Sequence, residues 1–193
     1  MAKPVPGAAS RFAFEDPSTP MPPWYSIAPA RQKDLPRLAS IELAAARLLV
    51  GYAPESVLRE TTSQHELRDA LSKGLLWVAL ANDDPVGFAH IELLEPTVAH
   101  LKELDVHPSH GRRGLGTKLI ETVCEWAAAA NYGWVTLTTF REAPWNMPFY
   151  AKVGFEEIPR QELTSVLLSI LREEGDRGLD PARRVAMRRR CSI

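Results

Sequence analysis

Residues 107–120 read HPSHGRRGLGTKLI, with Gly111, Gly114 and Gly116 between a strand-like run and a helix-like one, and Arg112, Arg113 and Lys118 beside them. The chemistry such a joint offers is anion binding. The first N–H groups of a helix lack intrahelical partners and point off its end, where the helix dipole places positive potential. Phosphate is the natural ligand there, and glycine lets the backbone approach closely or take a positive φ. Other reactive side chains lie on either side. His100, Lys102 and Glu103 precede the joint, and Asn146 and Tyr150 follow it, four residues apart and so on roughly one helix face. Imidazole and carboxylate are candidate bases, and a phenol with a pKa of about 10 is a candidate acid.

The chain that must position these groups has 193 residues, a formal net charge of -1 and 45% hydrophobic residues, enough for one domain with a sizeable core. So balanced a charge argues against nucleic acid or an acidic membrane surface as partner. Cys124 and Cys191 are too few for a disulfide framework and lack metal-ligand spacing, so no metal is expected. No signal-peptide or transmembrane-length apolar run occurs, which points to the cytoplasm. A homodimer is one option for the assembly, and no feature of the sequence fixes the oligomeric state.

Residues 1–24 hold six of the sixteen prolines and read as a flexible extension, leaving 25–193 as the domain. WYSIAPA reads as a strand. DLPRLASIELAAARLLV follows as a helix with Leu38, Ile41, Ala45 and Leu48 in phase, capped by Asp34 with Pro36 in its first turn. TSQHELRDALSKG begins with a capping box, Ser63 and Glu66, and stops at Gly74. LLWVALA, VGFAHIELL and VAHLKELDV are separated by NDDP and EPT and predict an antiparallel meander. After the glycine joint, TKLIETVCEWAAAAN predicts a helix, WVTLTTF a strand, NMPFYAKV a short helix capped by Asn146, GFEEI a strand, LTSVLLSILREE a helix and RRVAMRR a last strand. The fold class is α/β (α+β): one domain with a mixed, mostly antiparallel sheet flanked by helices.

Three phosphate motifs compete for the joint. Gly111 and Gly116 have P-loop spacing, but Thr117 and Lys118 follow in reversed order, so that reading fails. The dinucleotide pattern fails at Leu119, where it needs a third glycine. The third fits. V-H-P-S-H-G-R-R-G-L-G-T resembles the acetyl-CoA loop of the GNAT superfamily of N-acyltransferases, with Gly114 and Gly116 in place and Gly111 where the family favours Arg or Gln. PWNMPFYAKVGFEE strengthens the resemblance, because Asn146, Tyr150, Gly154 and Phe155 match the Asn, Tyr and Gly-Phe that the family carries after its fifth strand.

The resemblance implies acetyl-CoA as cosubstrate and direct attack by a primary amine in a ternary complex. It implies cofactor contacts from Leu104, Asp105 and Val106 through backbone N–H groups of a splayed strand. It implies more from Gly111, Arg112, Arg113, Gly114, Leu115, Gly116 and Thr117 of the loop and from Asn146, Phe149 and Tyr150. Tyr150 is the expected general acid toward the departing thiolate. The family places a base on the strand before the loop in some members, which makes His100 the first candidate and Glu103 the alternative, with Glu92 and His90 weaker. Strict alternation along this strand would set His100, Lys102, Leu104 and Val106 on one face and Leu101, Glu103 and Asp105 on the other.

Blander readings stand beside these. Glu42 on the first helix either faces the acceptor or, more commonly for such a residue, lies on the helix surface. RRVAMRRR is a solvated strand end before it is a nucleic-acid patch. Residues 160–182 exceed what a minimal family member needs. The acceptor is an amine on a small molecule or a peptide, which the sequence leaves open. A non-catalytic acyl-CoA sensor is the alternative function.

Overall fold

The computed structural model describes residues 21–191, so the extension expected over 1–24 lies almost wholly outside the described residues. Seven strands form one sheet: β1 Tyr25–Pro29, β2 Leu76–Ala81, β3 Asp84–Glu95, β4 Val98–Val106, β5 Trp134–Phe140, β6 Glu156–Glu157 and β7 Arg184–Arg190, in the order β1-β2-β3-β4-β5-β7-β6. Every neighbouring pair is antiparallel except β4 and β5. A parallel pair needs a long crossover, and helix α4, Leu115–Ala129, supplies it. The mixed, mostly antiparallel sheet flanked by helices is the class read from the sequence.

Helix α1, Leu35–Ala46, buries Leu35, Leu38 and Ile41 against β3 and β4. Of the residues in phase at the sequence level, Leu38 and Ile41 reach the core, each contributing roughly 1.5–3 kcal/mol, whereas Ala45 is half-buried and Leu48, beyond the helix end, is exposed. Asp34 stands at its N-cap but does not cap it. Its buried carboxylate instead accepts the Arg31 backbone N–H at 2.8 Å and the Arg31 guanidinium at 3.0 Å. The capping box that starts α3, Gln64–Ser72, is present as expected, with Glu66 accepting from the Ser63 N–H and Ser63 accepting from the Glu66 N–H.

One element escaped the sequence reading. A single turn, α2, Glu55–Leu58, sits between α1 and α3. Its four residues are too few to show a period. Downstream lie α5, Met147–Lys152, and α6, Ser165–Asp176, the latter capped by Thr164, whose hydroxyl accepts from the Leu167 N–H. Among the described residues no helix is long and apolar enough to cross a membrane.

Candidate active site

Strands β4 and β5 are paired over only three residues, Val98↔Trp134, Ala99↔Val135 and His100↔Thr136. Beyond His100 they part, and the edge of β4 from Leu101 to Val106 is open toward β5. A cavity of about 470 Å³ fills this wedge, lined by residues of β4 and β5, the start of α4, α5, and the α1–α2 segment. The splay expected near Leu104, Asp105 and Val106 is thus present, and all three line the cavity.

The start of α4 closes one side. Gly114 is its N-cap in the left-handed region (φ +77°), a conformation glycine adopts without a Cβ clash, and no side chain caps this end. The first-turn N–H groups of Leu115, Gly116 and Thr117 therefore have no intrahelical partner, and these three residues line the cavity together with Gly111 and Arg112. Gly116 lies against α5, since a Cβ there would come within 3.3 Å of Phe149 Cζ. The unblocked helix end and the open strand edge suit the pyrophosphate and the amide chain of acetyl-CoA respectively. Arg113 departs from expectation. It is absent from the lining, and its guanidinium donates to Tyr25 Oη at 2.5 Å while that oxygen also meets His110 Nδ1 at 2.8 Å. Arg113 ties the loop to β1.

Asn146 and Tyr150 both line the cavity. Asn146 holds the N-cap position of α5 without capping it by its side chain. Its Nδ2 donates to Thr139 Oγ1 at 2.9 Å and fastens α5 to the end of β5. Tyr150 packs edge-on to Phe155, with ring centroids 5.7 Å apart. Burial, and then the charges of Asp105 and Glu103, push the phenol well above its ordinary value, so it stays protonated and able to donate.

Strict alternation along β4 fails at a bulge. His90 is opposite Glu103 and Ile91 opposite Leu101, so Lys102 is an extra residue on β4. As a result Lys102 and Glu103, though consecutive, both line the cavity. Lys102 Nζ donates to Glu92 at 2.5 Å and to Glu66 of α3 at 3.0 Å, while the Glu103 carboxylate meets Glu42 of α1. Burial pulls the Lys102 ammonium down, but its bonds to Glu92 and Glu66 outweigh that and hold it above its usual value. It is a fixed cation.

His100, the first base expected, is absent from the cavity lining. It is buried, its Nδ1 lies 3.0 Å from Thr136 Oγ1, and burial pushes its pKa down to about 4. His90 is likewise buried with its titration lowered, chiefly by burial, and Glu92 is committed to Lys102. Carboxylates occupy the place instead. Oxygens of Glu42, Glu103 and Asp105 all lie within 4.8 Å of one another. Asp105 was expected to act through its backbone, yet its buried Oδ2 points among these groups with no hydrogen-bond partner among the described residues. Burial and then the Glu42 charge push Asp105 up to about 8. Burial and then Asp105 and Glu42 raise Glu103 well above the carboxylate range. Glu42 is raised by burial even though the Thr62 N–H donates to both of its oxygens at 2.9 and 3.0 Å.

The model of the acetyltransferase (GNAT) family matches residues 42–155, more than half of the chain, and the protein belongs to that family. It is an acetyltransferase with acetyl-CoA as cosubstrate. The fold agrees with solved structures. PaiA N-acetyltransferase from Thermoplasma acidophilum, solved with coenzyme A, is 17% identical, with 86% of this chain and 98% of that one covered at a TM-score of 0.68. Ard1 from Thermoplasma volcanium is 18% identical, covering 88% and 99% at 0.64. The ribosomal-protein-S18-alanine N-acetyltransferase from Escherichia coli is 16% identical, covering 88% and 95% at 0.58. At such identities the likeness is one of fold.

Proposed function

We propose that the protein N-acetylates a primary amine in a ternary complex, with the Glu103–Asp105 carboxyl pair as general base and Tyr150 as general acid. The observation that carries this reading is the geometry of the pair: two carboxyl groups on the open edge of β4 with oxygens within 4.8 Å of each other and of Glu42, in a cavity whose lining holds one tyrosine, Tyr150, among the described residues. An amine arrives as ammonium, because its pKa lies near that of lysine, about 10.4. A carboxylate takes one proton, and the neutral nitrogen attacks the thioester carbonyl. The C–N bond forms, the C–S bond breaks, and the nitrogen loses its second proton. Tyr150 supplies one proton to the departing thiolate and recovers one from the carboxyl pair, so one proton leaves to solvent overall.

Backbone N–H groups on the open edge of β4 are suited to polarising the carbonyl. The first turn of α4 is suited to the pyrophosphate. The test is release of free thiol from acetyl-CoA with and without a panel of primary amines, with the acetylated amine identified by mass spectrometry. Amine-dependent release is expected. Tight acetyl-CoA binding without release at any pH between 6 and 9 would instead mark an acyl-CoA sensor.

A further inference from the structure

The acceptor end of the cavity has two walls of different chemistry. One holds the carboxyl groups of Glu42, Glu103 and Asp105, with the buried, unpartnered Oδ2 of Asp105 among them. The other is apolar and comes from the end of α1, the turn after it and α2: Ala45, Leu49, Val57 and Leu58. Leu49 and Val57 belong to a small cluster around Phe140 and Leu179, which keeps this wall in place. Leu58 belongs to no core cluster and faces the cavity alone.

The cations near this end already have partners. Lys102 is paired with Glu92 and Glu66, Arg184 with Glu174, and Arg177 with Glu60. The other basic lining residues, Arg112 and Lys152, belong to the loop ahead of α4 and to the end of α5. A carboxylate beside the acceptor nitrogen would therefore meet three carboxyls while the nearby cations are already paired, which disfavours it in a site of low dielectric.

Resting on the acetyl-transfer reading above, we propose that the acceptor is a primary amine on an apolar aliphatic or aromatic body, with no carboxylate beside the nitrogen. The Glu42–Glu103–Asp105 group seats its ammonium, and the wall of Leu49, Val57 and Leu58 seats its body. A long polycation fits less well, because the apolar wall offers its further charges no acceptor. A peptide N-terminus fits less well for the same reason, its amide groups meeting side chains that cannot hydrogen-bond.

Phenethylamine and L-phenylalanine differ only by the carboxylate and make the sharpest pair. With acetyl-CoA saturating, thiol release is measured for both, and for hexylamine, spermidine and a pentapeptide with a free N-terminus. Calorimetric titration of phenethylamine and of phenylalanine into the protein–CoA complex gives affinity independently of turnover. The expected result is a kcat/KM for phenethylamine at least 100-fold above that for phenylalanine, with hexylamine second and the same order in affinity. Leu58→Ser should raise the KM for phenethylamine about tenfold and leave that for acetyl-CoA unchanged. Equal or better use of phenylalanine, spermidine or the peptide would overturn the inference while leaving acetyl transfer intact. No release with any amine, despite selective binding of phenethylamine, would overturn acetyl transfer and leave the binding preference standing. Absence of that selectivity in the titrations overturns the inference in every case.

Discussion

Glu42 of α1 and Asp105 of β4 hold carboxylate oxygens within 4.8 Å of each other, with Glu103 as the third member of the group. Like charges this close do not all ionise together at neutral pH, so the group carries protons that ordinary carboxylates would have lost. Both β4 residues keep some contact with the cavity, yet protein atoms crowd their carboxyls on the other sides. A site of this kind trades stability for a base that works near neutrality.

That trade is measurable. Asp105 is raised from 3.8 to about 8 on folding, so between those values the folded chain binds more protons than the unfolded one. The stability this provides is complete below about pH 4 and is lost as pH rises through 8. Asp105→Asn cannot acquire the charge. Thermal unfolding should show the variant gaining on the parent by several kcal/mol between pH 5 and pH 9, about 1.4 kcal/mol for each pH unit up to 8. An equal loss at all three of pH 5, 7 and 9 would contradict the assignment.

Tyr150→Phe removes the proposed acid and keeps the ring contact with Phe155. The chemical step, read by single-turnover thiol release, should slow about 10²-fold while acetyl-CoA affinity changes less than about twofold. Turnover at the parental rate when chemistry is limiting would remove Tyr150 from the mechanism.

Gly116→Ala separates binding from folding. The new Cβ would stand 3.3 Å from Phe149 Cζ, beside the free N–H groups that start α4. Acetyl-CoA affinity should fall about tenfold. Alanine favours a helix over glycine by up to ~1 kcal/mol, which offsets the tighter contact, so Tm should stay within roughly 3 °C. Unchanged affinity would show that the cofactor does not use this helix end.

Asn146→Ala deletes the bond to Thr139 that fastens α5 to β5. Stability should fall by about 1 kcal/mol, and the rate should fall with it because Tyr150 rides on the same helix. Asn146→Asp keeps an acceptor for the Thr139 hydroxyl and should recover part of both. If the alanine variant loses stability at full rate, Asn146 has no role in positioning Tyr150.

Periodicity and turn chemistry made most of this fold readable before any coordinates. The meander, the capping box at Ser63 and Glu66, and the glycine joint all follow from local rules, and the joint together with Asn146–Tyr150 was enough to suggest the family. Glu103 was read only as the alternative to His100, and its grouping with Glu42 was not readable. Alternation predicts faces only while the ladder is regular, and one extra residue at Lys102 turned Glu103 toward the side that Lys102 already faced. Nothing in VAHLKELDV announces that bulge. Glu42 looked like a surface carboxylate because its partner, Thr62, comes from a loop far along the chain. Asn146 and Asp34 occupy cap positions whose side chains bind other partners instead, Thr139 of β5 and the neighbouring Arg31 respectively.

The pH dependence of the acetyl-transfer step itself tests the carboxyl base most directly. Single-turnover thiol release, with acetyl-CoA and phenethylamine saturating, should rise with pH along a limb whose apparent pKa lies near 8, the value set at Asp105. In the double variant Glu103→Gln, Asp105→Asn, the rate should drop about 10²–10⁴-fold and that limb should vanish. A double variant that keeps the parental rate and the same limb would contradict the account.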